Sequence, residues 1–188
     1  AETGLKFILK SSEKAEQVMK RVRVEAERTP FDVGNLSSLT QQLATFTKDG
    51  NKAIDVLMAM GSATVASGRG VEDLERAAIN LGQAFNNSWT QMDYKQMLNA
   101  VPMFKTIADE YGLTWEKMQA IQKSGTKNLG EELTRIFSDW GAKNDVFAST
   151  QQNLSQLKAS FEEVFNGAFY DALKTSGGID QIKKTIER

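Results

Sequence analysis

The chain has 188 residues, 40% of them hydrophobic and 25% charged, with 23 lysines and arginines against 24 aspartates and glutamates for a net charge of −1. That balance belongs to an ordinary globular protein, and it supplies no cationic surplus for binding along a phosphate backbone, so no nucleic-acid partner is expected. Cysteine and histidine are both absent, which excludes disulfides, thiolate chemistry, imidazole ligands and the commonest general base.

Taken in chain order, the apolar spacing is helical almost throughout. "LKFILK" alternates weakly, but its flanking lysines and the helix that follows make it the end of an earlier helix rather than a strand. Ala15, Val18, Met19, Val22 and Ala26 then fall on one stripe, with Lys14, Glu16, Lys20, Arg21, Arg23 and Glu27 around the rest of the circumference. That helix is expected to end near Arg28. Leu36, Leu39, Leu43 and Phe46 form a second stripe, closed by Lys48-Asp49-Gly50-Asn51, and Ile54, Leu57, Met58 and Gly61 form a third. "GSATVASGRG" reads as a turn between helices. Its glycines lack the Walker spacing, arginine replaces the lysine, and no strand precedes it. Val71, Leu74, Ala78, Leu81 and Phe85 make a fourth stripe, with Glu72 and Asp73 near the positive end of the helix dipole.

Beyond "NNSWTQ", Asp93 and Gln96 are spaced as a capping box, and Pro102 suits the first turn of the next helix, which Gly112 stops. Thr114 is the expected cap of another helix, with Leu113 and Met118 as a hydrophobic staple; Asn128 and Glu131 repeat the capping spacing before Leu133, Ile136, Phe137 and Trp140. Ser149 precedes the longest stripe, Leu154 to Leu173, and "TSGGID" marks a boundary before a helix built on Ile179, Ile182 and Ile186. The expected fold is all-α, an irregular bundle of about eight short to medium helices with no significant sheet. Residues 1–175 read as one domain, and 176–188 as the start of a further helix leading into a longer protein. The most apolar runs, such as Val56 to Met60, fall far short of the roughly 20 residues a membrane span needs.

The sharpest local signal is "ERTPFDVGNL". Pro30 bars Thr29 from the α region, so the helix must stop there; Phe31 can then turn into the core while Asp32 caps the next helix. Chemistry is harder to find. Glu72, Asp73 and Glu75, Glu131 with Glu132, and Glu162 with Glu163 are acid pairs of the kind a glycosidase uses, but neighbours on a helix point about 100° apart, and these read as solvated faces. Trp89, Trp115 and Trp140 sit at helix ends or corners, placed for rings at the core edge whose N–H groups reach a carbonyl. The seven methionines read as filling of a helical core. No catalytic residue, cofactor site or metal site is assigned.

The order of these segments resembles a known family. "EKAEQVMKRVRVEAERTPFDVGNLSSLTQQLATF", "MDYKQMLNAVPMFKTIADEYGLTWEKMQAI" and "STQQNLSQLKASFEEVFNGAF" are similar, in sequence order, to the tape measure domain of tail length tape measure proteins from long-tailed bacteriophages and prophages. The resemblance covers about residues 13 to 173. It implies a structural virion protein rather than an enzyme, lying in the tail tube lumen and made in the host cytoplasm. Its implied partners are the tail tube protein, tail assembly chaperones and tail tip proteins, with self-association in a few copies, and its implied role is to limit tail length. The alternatives are a peptidoglycan-cleaving helical domain, with Glu72 and Glu131 as its carboxylates to test, and a general helical adaptor.

Overall fold

The computed structural model describes residues 2–148. Among them are nine helices and no strand: α1 (Glu2–Leu9), α2 (Ser12–Glu27), α3 (Val33–Thr47), α4 (Gly50–Ala66), α5 (Val71–Phe85), α6 (Gln91–Ala100), α7 (Phe104–Glu110), α8 (Trp115–Ser124) and α9 (Leu129–Lys143). The all-α class is as expected. The stripe after Ser149, the pair Glu162 and Glu163, the "TSGGID" boundary and the isoleucine helix lie outside the described residues, as does the expected domain end at 175.

Helix α4 is the centre of this compact unit and packs against α2, α3, α5 and α9. Twelve of its 17 residues are buried, and from Val56 to Thr64 it is enclosed all round instead of presenting the single stripe of Ile54, Leu57, Met58 and Gly61. The run from Val56 to Ala66 carries no charged side chain, and no face of it is suited to water. For the same reason "GSATVASGRG" is not wholly a turn. Gly61 to Ala66 belong to α4, and only Ser67 to Gly70, with Gly68 at φ +70°, form the connection to α5.

Helices meet closely where glycine removes a side chain. A Cβ on Gly61 would lie 2.9 Å from the Phe31 ring, one on Gly141 would lie 2.5 Å from the Cβ of Ala59, and one on Gly130 would lie 2.4 Å from Cγ of Phe85. These contacts join the residue 28–32 corner to α4, α9 to α4, and α9 to the end of α5.

Most ends follow their local chemistry. Thr114 accepts from the N–H of Lys117, with Leu113 and Met118 both buried at the staple positions. At the end of α7, Gly112 takes φ +66° while its N–H donates to Asp109 and that of Leu113 donates to Ala108, a Schellman closure. Two expectations are corrected. The capping box of α6 is Thr90 with Asp93, which bond reciprocally, not Asp93 with Gln96; Asp93 is the third helical residue, and its carboxylate returns to the Thr90 N–H at 2.7 Å. Pro102 precedes α7 instead of opening it, in a tight turn that Phe104 closes by donating to Val101 at 2.8 Å.

Candidate functional site at the Thr-Pro-Phe corner

Helix α2 stops at Glu27, and the N–H of Arg28 donates to the Glu25 carbonyl. The chain is then carried through Thr29 and Pro30 into Phe31, which is 3% exposed and meets Phe147 edge-on, with ring centres 6.0 Å apart and planes at 82°. Asp32 turns the chain into α3 by accepting from the N–H of Asn35 at 2.8 Å. Phe31 in the core and Asp32 at the cap are both as the sequence predicts. Replacing Asp32 with alanine removes an acceptor from the first turn of α3, and a stability loss of about 1 kcal/mol in urea denaturation is the expected result.

A chain of opposite charges surrounds the corner. The Arg28 guanidinium bonds Glu25 on one side and Asp145 on the other, the latter at 2.7 Å. Burial alone would lower the Arg28 pKa, but the two hydrogen bonds and the two negative charges outweigh it and raise the pKa above the ordinary value. Arg21 pairs with Asp55 of α4, donates to the Asn51 side chain at 3.3 Å, and lies 3.9 Å from Glu25. Asp55, Arg21, Glu25, Arg28 and Asp145 thus line a groove of about 310 Å³ between α2, α4 and α9, with Ser62, Ser138 and Gly141 beside them. Each of these carboxylates faces a guanidinium. The arrangement fastens α2 to α4 and to the turn at residue 145, and Asp139 of α9 lines the same groove.

Of the acids in the described residues, Glu72 and Glu131 are exposed as the sequence suggests, whereas Asp73, Glu75 and Glu132 are half-buried. Glu72 and Asp73 both reach Arg76, at 4.0 and 3.4 Å, and the Glu72 side chain is 84% exposed. Glu132 reaches Arg135 at 3.1 Å and Lys127 at 4.0 Å. Glu131 and Glu132 line a groove of about 360 Å³ floored by the turn at residues 125–128. Asn128 caps α9 by accepting from the Glu131 N–H, and its amide nitrogen donates to the Phe85 carbonyl at 2.9 Å. Among the described residues no group of three or more acidic side chains could hold a metal ion, and no helix is long and apolar enough to cross a membrane.

The tryptophans depart in part from expectation. Trp89 is buried, and its indole N–H has no hydrogen-bond partner. The ring is drawn against Phe104, at 6.4 Å between centres, while the main chain makes the polar contacts: the Trp89 N–H donates to the Gln122 side chain at 3.1 Å, and that side chain donates back to the Trp89 carbonyl at 2.7 Å. Trp115 opens α8 against Tyr94, with ring centres 5.1 Å apart, and Trp140 is buried within α9. Among the methionines Met58, Met60 and Met97 are core, whereas Met92 is 63% exposed. Sequence reasoning missed the Arg28–Asp145 pair altogether, because its partners are 117 residues apart.

Fold and site together define an all-helical module, built from capped corners and a groove crossed by ion pairs. More particularly, the chain belongs to the tape measure protein family, which matches it over residues 1–169. It is therefore part of a phage tail tape measure protein, a structural component of the virion tail, as the order of its segments implied. No curated protein and no solved structure matches the chain.

Proposed function

We propose that this chain is a compact domain of the tape measure protein that organises tail tube assembly, while tail length is set by helical segments of the full protein outside it. The domain continues to about residue 175, and the isoleucine-spaced residues 176–188 begin the connection to those segments. The tail tube protein, assembly chaperones and tail tip proteins are its partners, the tube lumen is its place in the virion, and it acts in a few copies. The observation that supports this division of labour is helix length. The longest described helix, α4, has 17 residues and so spans only about 25 Å. Drawn into one continuous helix, residues 2–148 would reach about 220 Å, a length the observed fold discards.

Electron microscopy of tails carrying deletions in the full-length protein tests the reading. Removing residues 2–148 is expected to cut the yield of complete tails while leaving those that form within a few tens of Å of normal length. Removing the same number of residues from a continuous helical segment is expected to shorten the tail by about 220 Å. Equal shortening in both cases would overturn the proposal, and so would an unchanged length in both.

A further inference from the structure

We propose that the cleft between the start of α6 and α8 binds the free carboxylate end of a short apolar peptide segment of a partner protein. This site is independent of which segment sets tail length.

The cleft, of about 320 Å³, is walled on one side by Trp89, Thr90 and Gln91, and on the other by a single stripe of α8: Trp115, Gln119, Gln122 and Lys123. Its two ends differ. The Gln122 side chain holds the main chain of Trp89 at 3.1 and 2.7 Å, so the start of α6 lies at the Lys123 end of the stripe. Trp115 meets Tyr94, further into α6, and marks the other end, about 12 Å away along α8. A cation and a helix start therefore share one end, and an indole holds the other.

The cationic end has no counter-ion. Lys123 is exposed, and no acid among the described residues pairs with it. The N–H groups of Thr90 and Asp93 are taken up by the capping box of α6, which leaves those of Gln91 and Met92 free to meet an anion. Asp93, the acid in that first turn, is committed to the Thr90 N–H and hydroxyl at 2.7 and 2.6 Å. Unlike the grooves that hold Asp55 and Glu131, this one has no carboxylate in its lining.

The walls call for acceptors and apolar surface. Trp89 is 4% exposed, and its indole N–H, which can only donate, finds no acceptor among the described residues. A buried donor left unpaired is costly, and a peptide oxygen entering the cleft that Trp89 lines supplies its partner. The Gln119 side chain makes no hydrogen bond among the described residues, and its amide offers the donor and acceptor that a peptide backbone matches. Trp115, half-buried, offers its ring to an apolar side chain. About three to four extended residues span the distance from Lys123 to Trp115.

Titration of the 188-residue chain with acetyl-Leu-Ala-Ala-Leu bearing a free carboxylate, followed through backbone amide NMR shifts, tests this. The amides of Gln91, Met92, Gln119 and Lys123 are expected to move, and those of Val56–Met60 to stay. Amidating the peptide terminus is expected to weaken binding by at least about tenfold, the loss of hydrogen bonds to a charged group. Lys123→Gln is expected to weaken binding of the free acid by about threefold to fivefold, the range of an exposed ion pair, and to leave that of the amide unchanged. Trp89→Phe keeps a ring and removes the donor, and a loss of about fivefold is expected. The proposal is overturned if neither peptide binds, if acid and amide bind alike, if K123Q weakens both equally, or if W89F binds as tightly as the parent chain. Tighter binding of an amidated peptide with an internal glutamate would overturn it too. Should W89F fail to fold, the acid–amide and K123Q comparisons decide alone.

Discussion

Phe31→Ala is expected to destabilise the domain by about 4 kcal/mol and to lower its melting temperature by about 12 °C. The size follows from what surrounds the ring. Phe31 is 3% exposed, its ring rests where Gly61 offers no side chain, and it packs nearly perpendicular to the ring of Phe147. Truncation leaves a hole that cannot be filled from below, because Gly61 has nothing to extend, and the rigid helix α4 cannot move without disturbing α2, α3, α5 and α9. Phe31→Leu retains much of the volume and is expected to lose only about 1–2 kcal/mol. Thermal and urea denaturation of both variants give the comparison. A loss below about 1 kcal/mol for the alanine variant would mean the corner is not a core position.

Gly130→Ala is the second large effect, and its sign runs against helix propensity. Alanine in place of glycine inside a helix ordinarily gains up to about 1 kcal/mol. Here the new Cβ would sit 2.4 Å from Cγ of Phe85 and 2.6 Å from its backbone nitrogen. A ring could turn aside, but a backbone nitrogen near the end of α5 cannot, least of all when Asn128 bonds the carbonyl of the same residue at 2.9 Å. Phe85 is further held by stacking on Phe46, with centres 5.6 Å apart, and Phe46 in turn covers Gly82. The start of α9 must therefore shift outward, and a net loss of about 3 kcal/mol is the expected result. Gly68→Ala makes the contrast: no atom lies within 4 Å of the new Cβ, and the cost is only that of φ +70°, about 1 kcal/mol. If G130A proved as stable as the parent chain, the close approach of α5 and α9 would be wrong.

How much of this could be read beforehand depended on whether the cause lay within a few residues. The stop at Pro30, the cap at Asp32 and the closure at Gly112 were legible because each is enforced by its own neighbours. The capping box of α6 was misread because two overlapping frames, Thr90 with Asp93 and Asp93 with Gln96, satisfy the same three-residue spacing, and only the helix start at Gln91 separates them. The all-round burial of α4 left a signal in its uncharged run, but attention to one stripe concealed it. The core of the site left no signal. Nothing near Arg28 announces Asp145, nothing near Phe31 announces Gly61 or Phe147, and nothing near Gly130 announces Phe85; these contacts exist only once the chain has folded back. Trp89 shows the limit of a residue-type rule, since ring packing there took precedence over the indole N–H.

The closeness of the helices at Gly130 and Gly141 has a mechanical side. Layers of flexible side chains give way by degrees as rotamers adjust, but main chains nearly in contact either abut or separate. With such seams near both ends of one face of α9, the unit is expected to be brittle rather than elastic, resisting swelling and bending until the seams fail together. A part that keeps one fixed form up to its breaking point can be carried through assembly without creep.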